Sequence, residues 1–175
     1  MTTYNVTIDD LKKINDRRDI PLLLNKMQSA VICEIGVKEG AHFNSLLTSN
    51  AIKKAIGIDI WAETGVRSQN DDSYEQQRLD AIYASMKQLE KRDSRVEIIK
   101  DFSPAASSRF QDNYFDFVYI DADHTEEAVY ADLNAWWSKV RPGGVLAGHD
   151  YCEMTLKYNN STDVVFGVIP AVNKF

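Results

Sequence analysis

The 175-residue chain is poor in cysteine, with two, and in proline, with four. Cys33 and Cys152 cannot build a disulfide framework, and no C-x-x-C pair is present to hold zinc, so a reducing, cytoplasmic setting is expected. No apolar run approaches the ~20 residues that span a bilayer. The opening MTTYNVTIDDLKK lacks the basic-then-apolar order of a signal peptide, so no membrane partner is expected. Positive charge is also scarce: Lys+Arg 20 against Asp+Glu 26 gives a net −6. An acidic chain is poorly suited to gripping phosphate backbones, and no nucleic-acid partner is expected. The basic pairs Lys12-Lys13 and Arg17-Arg18 are interleaved with Asp9, Asp10, Asp16 and Asp19, which reads as a solvated helix face. A content of 44% hydrophobic and 26% charged residues is that of a globular domain and excludes disorder and collagen-like structure.

The length favours a single domain, with an N-terminal helical segment over 1–29 and the main α/β body over 30–175. Residues 8–28 are expected to be helical, with Thr7 as N-cap and a break at Pro21. Ala30–Ile35 (AVICEI) is a short, β-rich apolar run that suits a buried parallel strand. Further strands are expected at Ala55–Ile60, Val96–Ile99, Phe115–Ile120 and from Val145. Between them lie expected helices at 42–50, 74–91 and 126–139, and a short one opening at Ser103-Pro104. Glu63–Ser73 is a polar stretch, and Arg141-Pro142-Gly143-Gly144 reads as a turn. Short buried strands alternating with helices predict a doubly wound, mainly parallel sheet with helices on both faces.

In such sheets ligands bind beyond the carboxyl ends of the strands. Those ends carry Glu34-Ile35-Gly36 with Gly40, then Asp59-Ile60, Asp101-Phe102, Asp121-Ala122-Asp123-His124 and Gly148-His149-Asp150. One acid after a strand means little, because Asp is a poor strand former. Five strand ends supplying acids or glycines to one edge are hard to explain as turn chemistry alone. Gly36 and Gly40 let the backbone approach a ligand, or simply form a βα turn. Their spacing is not the G-x-G-x-x-G of a nicotinamide dinucleotide site, and Glu34 and Glu39 oppose a phosphate there. Asp59 stands where an acid grips ribose hydroxyls, or it caps a loop. Asp101-Phe102 offers a carboxylate and a ring to a purine, with a loop acid as the alternative.

The segments VICEIGVKEG, AIGIDIW, VEIIKDFS, FDFVYIDADH and VRPGGVLAGHDY, in that order, resemble the successive motifs of Rossmann-like S-adenosylmethionine-dependent methyltransferases. The nearest likeness is to small-molecule O-methyltransferases of the macrocin, cephalosporin-biosynthesis and mycinamicin type, over about residues 30–151. The resemblance implies that Glu34, Gly36 and Gly40 line the methionine part of S-adenosylmethionine. It implies that Asp59 with Ile60 holds the ribose, Asp101 with Phe102 the adenine, and that Asp121 lies on the cofactor side. A small-molecule hydroxyl, of a sugar or a phenol, is the implied acceptor.

Asp121 and Asp150 would close neighbouring strands, and two carboxylates suit a divalent cation such as Mg²⁺. The resembled enzymes hold a metal with acids after these strands; here His149 replaces one, shifting preference toward a softer ion. His124, three residues past Asp121, matches the general base of the mycinamicin type, and Asp123 is the rival base. Trp136 and Trp137 are expected to pack on the sheet, with Trp61 and Tyr151 on the rim. The resembled fold continues with two more strands after the helix that opens at Gly167. Their absence implies a short sheet edge, a second copy completing it, or a truncated homologue. The alternatives to a transferase are an inactive cofactor-binding subunit and a nicotinamide-dependent oxidoreductase.

Overall fold

The computed structural model describes residues 6–62, 72–156 and 164–175. Five strands form one parallel sheet: β1 (Ala30–Ile35), β2 (Ile52–Asp59), β3 (Val96–Lys100), β4 (Phe115–Ile120) and β5 (Val140–Gly148). Their spatial order is β3-β2-β1-β4-β5. The chain therefore builds outward from β1 to β3, crosses back, and continues on the other side with β4 and β5. The crevice between the ends of β1 and β4 is the point of reversal, where ligands enter open α/β sheets.

Burial follows from that order. Every residue of β4 is buried, and β1 is nearly so, because both are central and covered on both faces. One face packs Ile32, Ala55, Ile98, Phe117 and Tyr119 against Leu23, Leu24, Phe43, Leu46 and Met86. The other packs Cys33, Ile35, Ile56, Ile58 and Val118 against Ala106 and Trp136. Removing an aromatic such as Trp136 from this core would cost ~3–5 kcal/mol.

The expected helix over 8–28 is broken into three pieces. α1 (Ile8–Leu11) is capped by Thr7, whose hydroxyl accepts from Asp10 N while the Asp10 carboxylate accepts from Thr7 N. A second reciprocal box, Asp16 with Asp19, starts a 3₁₀ turn at Arg17–Asp19, and α2 (Ile20–Leu24) follows with Pro21 in its first turn. Each capping box starts a new element, so the segment bends around the sheet instead of running straight.

α3 (Ala41–Leu46), α4 (Asp72–Arg92) and α6 (Glu126–Trp137) sit close to their expected positions. α5 (Ser103–Ala106) has Phe102 as N-cap, so Ser103 is inside the helix and not its cap. Its hydroxyl instead bridges the indole of Trp136 and the carboxylate of Asp132. The expected turn at Arg141–Gly144 lies within β5, because a bulge opposite Phe115–Phe117 absorbs the prolyl residue. Pro142 is tolerated there because β5 has a strand neighbour on one side only. α7 (Val168–Lys174) packs on α6, and a short antiparallel pair joins β6 (Thr155–Leu156) to β7 (Val164–Val165). Trp136 is buried as expected, but Trp137 is 59% exposed and meets the edge of Phe175. Among the described residues no helix is long and apolar enough to cross a membrane. Most of the polar stretch Glu63–Ser73 lies outside the described residues.

Candidate functional site

All five parallel strands deliver their ends to one rim. At β1, Gly36 has φ +86°, and a Cβ there would lie 2.0 Å from the backbone oxygen of Asp121. Gly36 is thus required by the touching ends of β1 and β4, at the crevice itself. Gly40, at φ +80°, is the N-cap of α3. Glu34 is 1% exposed and lies 3.3 Å from Nδ1 of His42 through Oε1, while its Oε2 has no hydrogen-bond partner. Burial raises its pKa, opposed by the His42 contact. The His42 ring also packs on Tyr119, with centroids 4.4 Å apart.

Asp59, at the end of β2, accepts from the Lys38 amide at 2.8 Å and the Trp61 amide at 2.9 Å. Each carboxylate oxygen keeps a further lone pair for a ligand. Ile60, next along, is 38% exposed on the rim. Trp61, expected on the rim, is buried: its indole donates to Lys38 O and packs on Tyr83, because the loop folds it inward. Asp101 is held by Arg109 at 2.6 Å, which lowers its pKa. The adjacent Phe102 ring is largely exposed.

The ends of β4 and β5 form a different constellation. The Nε2 atom of His124 lies 2.8 Å from Asp150 Oδ2 and 3.4 Å from Asp121 Oδ1. His149 Nδ1 lies 2.8 Å from Asp150 Oδ1 and 3.9 Å from Asp121 Oδ1. Asp150 adopts a left-handed φ of +55°, a conformation that costs a non-glycine residue ~1–2 kcal/mol. His124 also stacks on Phe166. Asp121, His124 and Asp150 each offer a ligand atom, all within 4.8 Å of one another. Asp123 instead accepts from the Thr125 amide, bracing the entry to α6, and its side chain is exposed. Tyr151, 58% exposed, stands near this cluster as a rim residue.

Two contributors had little or no signal in the sequence. Arg17 reaches across from the N-terminal segment to within 3.3 Å of Asp121 Oδ2, from 104 residues away. His42, two residues past Gly40, is a buried partner of Glu34; a histidine in the first turn after a glycine loop is the signal that could have exposed it.

Residues 33–151 match the family described as Methyltransferase domain. A curated relative, the uncharacterized protein R132 of Acanthamoeba polyphaga mimivirus, is 31% identical over 144 residues, covering 81% of this chain and 57% of that protein. The chain thus spans little more than half the length of that relative. Among solved structures, YcgJ of Bacillus subtilis aligns with a TM-score of 0.51 at 13% identity, covering 74% of this chain and 48% of that one. The precorrin 8w decarboxylase of Methanobacterium thermoautotrophicum aligns at 0.50 and 16%, covering 74% and 59%. At such identities these two show the fold alone. The family match, by contrast, runs from the middle of β1 to the residue after Asp150 and takes in every strand end of the rim. On that ground the chain belongs to the methyltransferase domain family.

Proposed function

We propose that this chain transfers a methyl group from S-adenosylmethionine to a hydroxyl of a small molecule. The observation that carries the reading is the His124–Asp150–Asp121 cluster standing at the β1–β4 reversal, beside the unpartnered Oε2 of buried Glu34.

The residues present fit the cofactor. Glu34 keeps an acceptor for the methionine ammonium group. Asp59 keeps lone pairs for ribose hydroxyls, and the open Phe102 ring offers a face to the adenine. Gly36 and Gly40 would shape the loop beneath the methionine part. When bound, S-adenosylmethionine supplies a sulfonium methyl, whose carbon bonds to the acceptor oxygen as the C–S electron pair returns to sulfur.

The chain's part is to take the hydroxyl proton and hold the hydroxyl in line. His124 is the base, with Asp150 fixing its ring and stabilising the imidazolium it becomes. Asp123, turned toward Thr125, is the weaker rival. A second reading rests on the donor set: Asp121, Asp150 and His124, with His149 beside them, also fit a divalent cation. Two carboxylates with imidazole suit Mn²⁺, Fe²⁺ or Zn²⁺ better than Mg²⁺. Such an ion would polarise the hydroxyl and lower its pKa.

Incubation with methyl-labelled S-adenosylmethionine and a panel of phenols and glycosides tests the reading. Labelled ether and S-adenosylhomocysteine are expected in equal amounts. Cofactor binding without turnover on any hydroxyl would leave a binding subunit instead. Metal content after dialysis, and activity in EDTA with Mn²⁺ or Mg²⁺ returned, separate the two readings of His124.

A further inference from the structure

Glu34 and His42 each bury a polar atom that has no partner among the described residues. Glu34 ends β1 at 1% exposure, and its Oε1 lies 3.3 Å from Nδ1 of His42. Its Oε2 has no hydrogen-bond partner, and neither has Nε2 on the other side of the imidazole. His42 is 7% exposed and stands in the first turn of α3, two residues past Gly40. Its ring packs on Tyr119, which is the β4 residue in register with Glu34. A strand end, a helix entry and a cross-strand aromatic thus fix one imidazole against one carboxyl group.

The unpartnered nitrogen assigns the tautomer. A neutral imidazole carries one N–H and one bare nitrogen. A proton on Nε2 would strand a buried donor and leave Nδ1 with nothing to give an ionised carboxylate. A proton on Nδ1 gives Glu34 a hydrogen bond that favours its charged form. Burial pushes the Glu34 carboxyl up, and the Asp121 carboxylate adds to that. His42 is the largest opposing influence, ahead of Arg17. Among the described residues, the titratable and charged groups that face Glu34 are His42 of α3, Tyr119 and Asp121 of β4 and its end, and Arg17 of the N-terminal segment. On its own strand the buried thiol of Cys33 precedes it.

We propose that His42 is a positioning residue for the cofactor: its Nδ1–H keeps Glu34 ionised, so that Oε2 meets the methionine ammonium as a carboxylate. The proposal rests on the methyl-transfer reading above and adds the residue on which its Glu34 contact depends. A charged acceptor binds an ammonium far better than a neutral carboxyl does. Without His42, Glu34 would take up its proton at a higher pH than it does beside the imidazole. Loss of His42 therefore weakens cofactor binding most at low pH, where the lone carboxyl is protonated. The loss recovers as pH rises and the carboxyl ionises unaided.

Calorimetry of the full chain with S-adenosylhomocysteine from pH 6 to 8.5 tests this. His42→Ala should bind about tenfold or more weakly than the native chain at pH 6, and the gap should close toward pH 8.5. Ratios taken at one pH cancel the titration of the ligand's own amino group. His42→Asn, whose amide nitrogen stands in for Nδ1, should restore binding at pH 6. 5′-Methylthioadenosine, which lacks the amino-acid tail, should bind both variants as it binds the native chain. Glu34→Gln should bind S-adenosylhomocysteine weakly at every pH, and His42→Ala added to it should cost nothing more. A loss equal at every pH, unrescued by Asn or extending to methylthioadenosine, would show a packing role and overturn the proposal. ¹⁵N NMR of the histidine-labelled native chain reads the tautomer even if a variant fails to fold. A His42 proton on Nδ1 supports the proposal, and one on Nε2 overturns it. A native chain that binds S-adenosylhomocysteine at no pH defeats the methyl-transfer reading and this inference together. Binding without the expected pH dependence in His42→Ala defeats this inference alone.

Discussion

At the ends of β2 and β3 the acids are held by groups close by: Asp59 by two backbone amides, Asp101 by Arg109 and its own neighbour's amide. At the ends of β4 and β5 the acids face imidazoles, and Arg17, which reaches Asp121, comes from the far end of the sequence. The acids of the first half are braced by these contacts, and on the proposed reading they form the cofactor cradle. The second concentrates titratable groups in a half-buried space, where protons or cations can be exchanged. On the proposed reading, binding and chemistry are divided across the reversal between β1 and β4, and the expected effects of substitution divide the same way.

The largest effect is expected on the chemical side. His124→Ala should lower turnover by ~10²–10⁴-fold while leaving S-adenosylhomocysteine affinity nearly unchanged. Asp123→Asn is the control; if it abolishes turnover and His124→Ala does not, the carboxylate is the base.

The next effect is on stability. Gly36→Ala places a methyl against the Asp121 carbonyl in a left-handed conformation and should cost ~3 kcal/mol or more, read by urea denaturation. Gly148→Ala, at the end of β5, has its nearest neighbour at 3.1 Å and should cost ~1 kcal/mol or less. Equal costs would erase the contrast between the braced and the open half.

A buried acid behind the sheet gives a pH effect of intermediate size. Burial raises the pKa of Asp132 to about 6, against an ordinary 3.8. The native state therefore holds this proton more tightly than the unfolded chain. The stability it contributes is complete below pH ~4 and is lost as pH rises through about 6. Asp132→Asn should remove that slope and raise stability at pH 7 by ~1–3 kcal/mol, seen in denaturation midpoints from pH 4 to 8. A slope unchanged in the variant would assign the titration to another group.

The smallest effect falls on the cradle. Asp59→Ala should weaken S-adenosylhomocysteine binding by at least about tenfold, the value of one charge-assisted hydrogen bond. An undiminished affinity would remove Asp59 from the ribose site.

Much of this organisation was legible in the sequence. The strands and their acids were visible because a buried parallel strand is a short apolar run with a distinct end. The bend of the N-terminal segment was missed because two successive capping boxes, Thr7 with Asp10 and Asp16 with Asp19, look like an interleaved charged helix until the backbone is traced. β5 was entered late because Pro142 and two glycines spell a turn, yet an unpaired edge accepts them. Trp61 and Trp137 exchanged expected places, one buried and one exposed, because neither hydropathy nor spacing reports which way a loop or helix end faces. Arg17 carried no local signal, since its partner lies across the whole fold. Asp121 and Asp150, expected as metal ligands, and His124, expected as the base, lie in one cluster, because a helix entry at β4 and a left-handed residue after β5 aim them at the same point, while Asp123 turns to the Thr125 amide.

The central claim is that the rim cradles an adenosyl sulfonium cofactor and not a phosphate-bearing dinucleotide. Isothermal titration of the full chain with S-adenosylhomocysteine, and separately with NAD, tests it most directly. The account predicts one micromolar site for S-adenosylhomocysteine and no measurable heat with NAD. Binding of NAD in preference, or silence with S-adenosylhomocysteine, would contradict it.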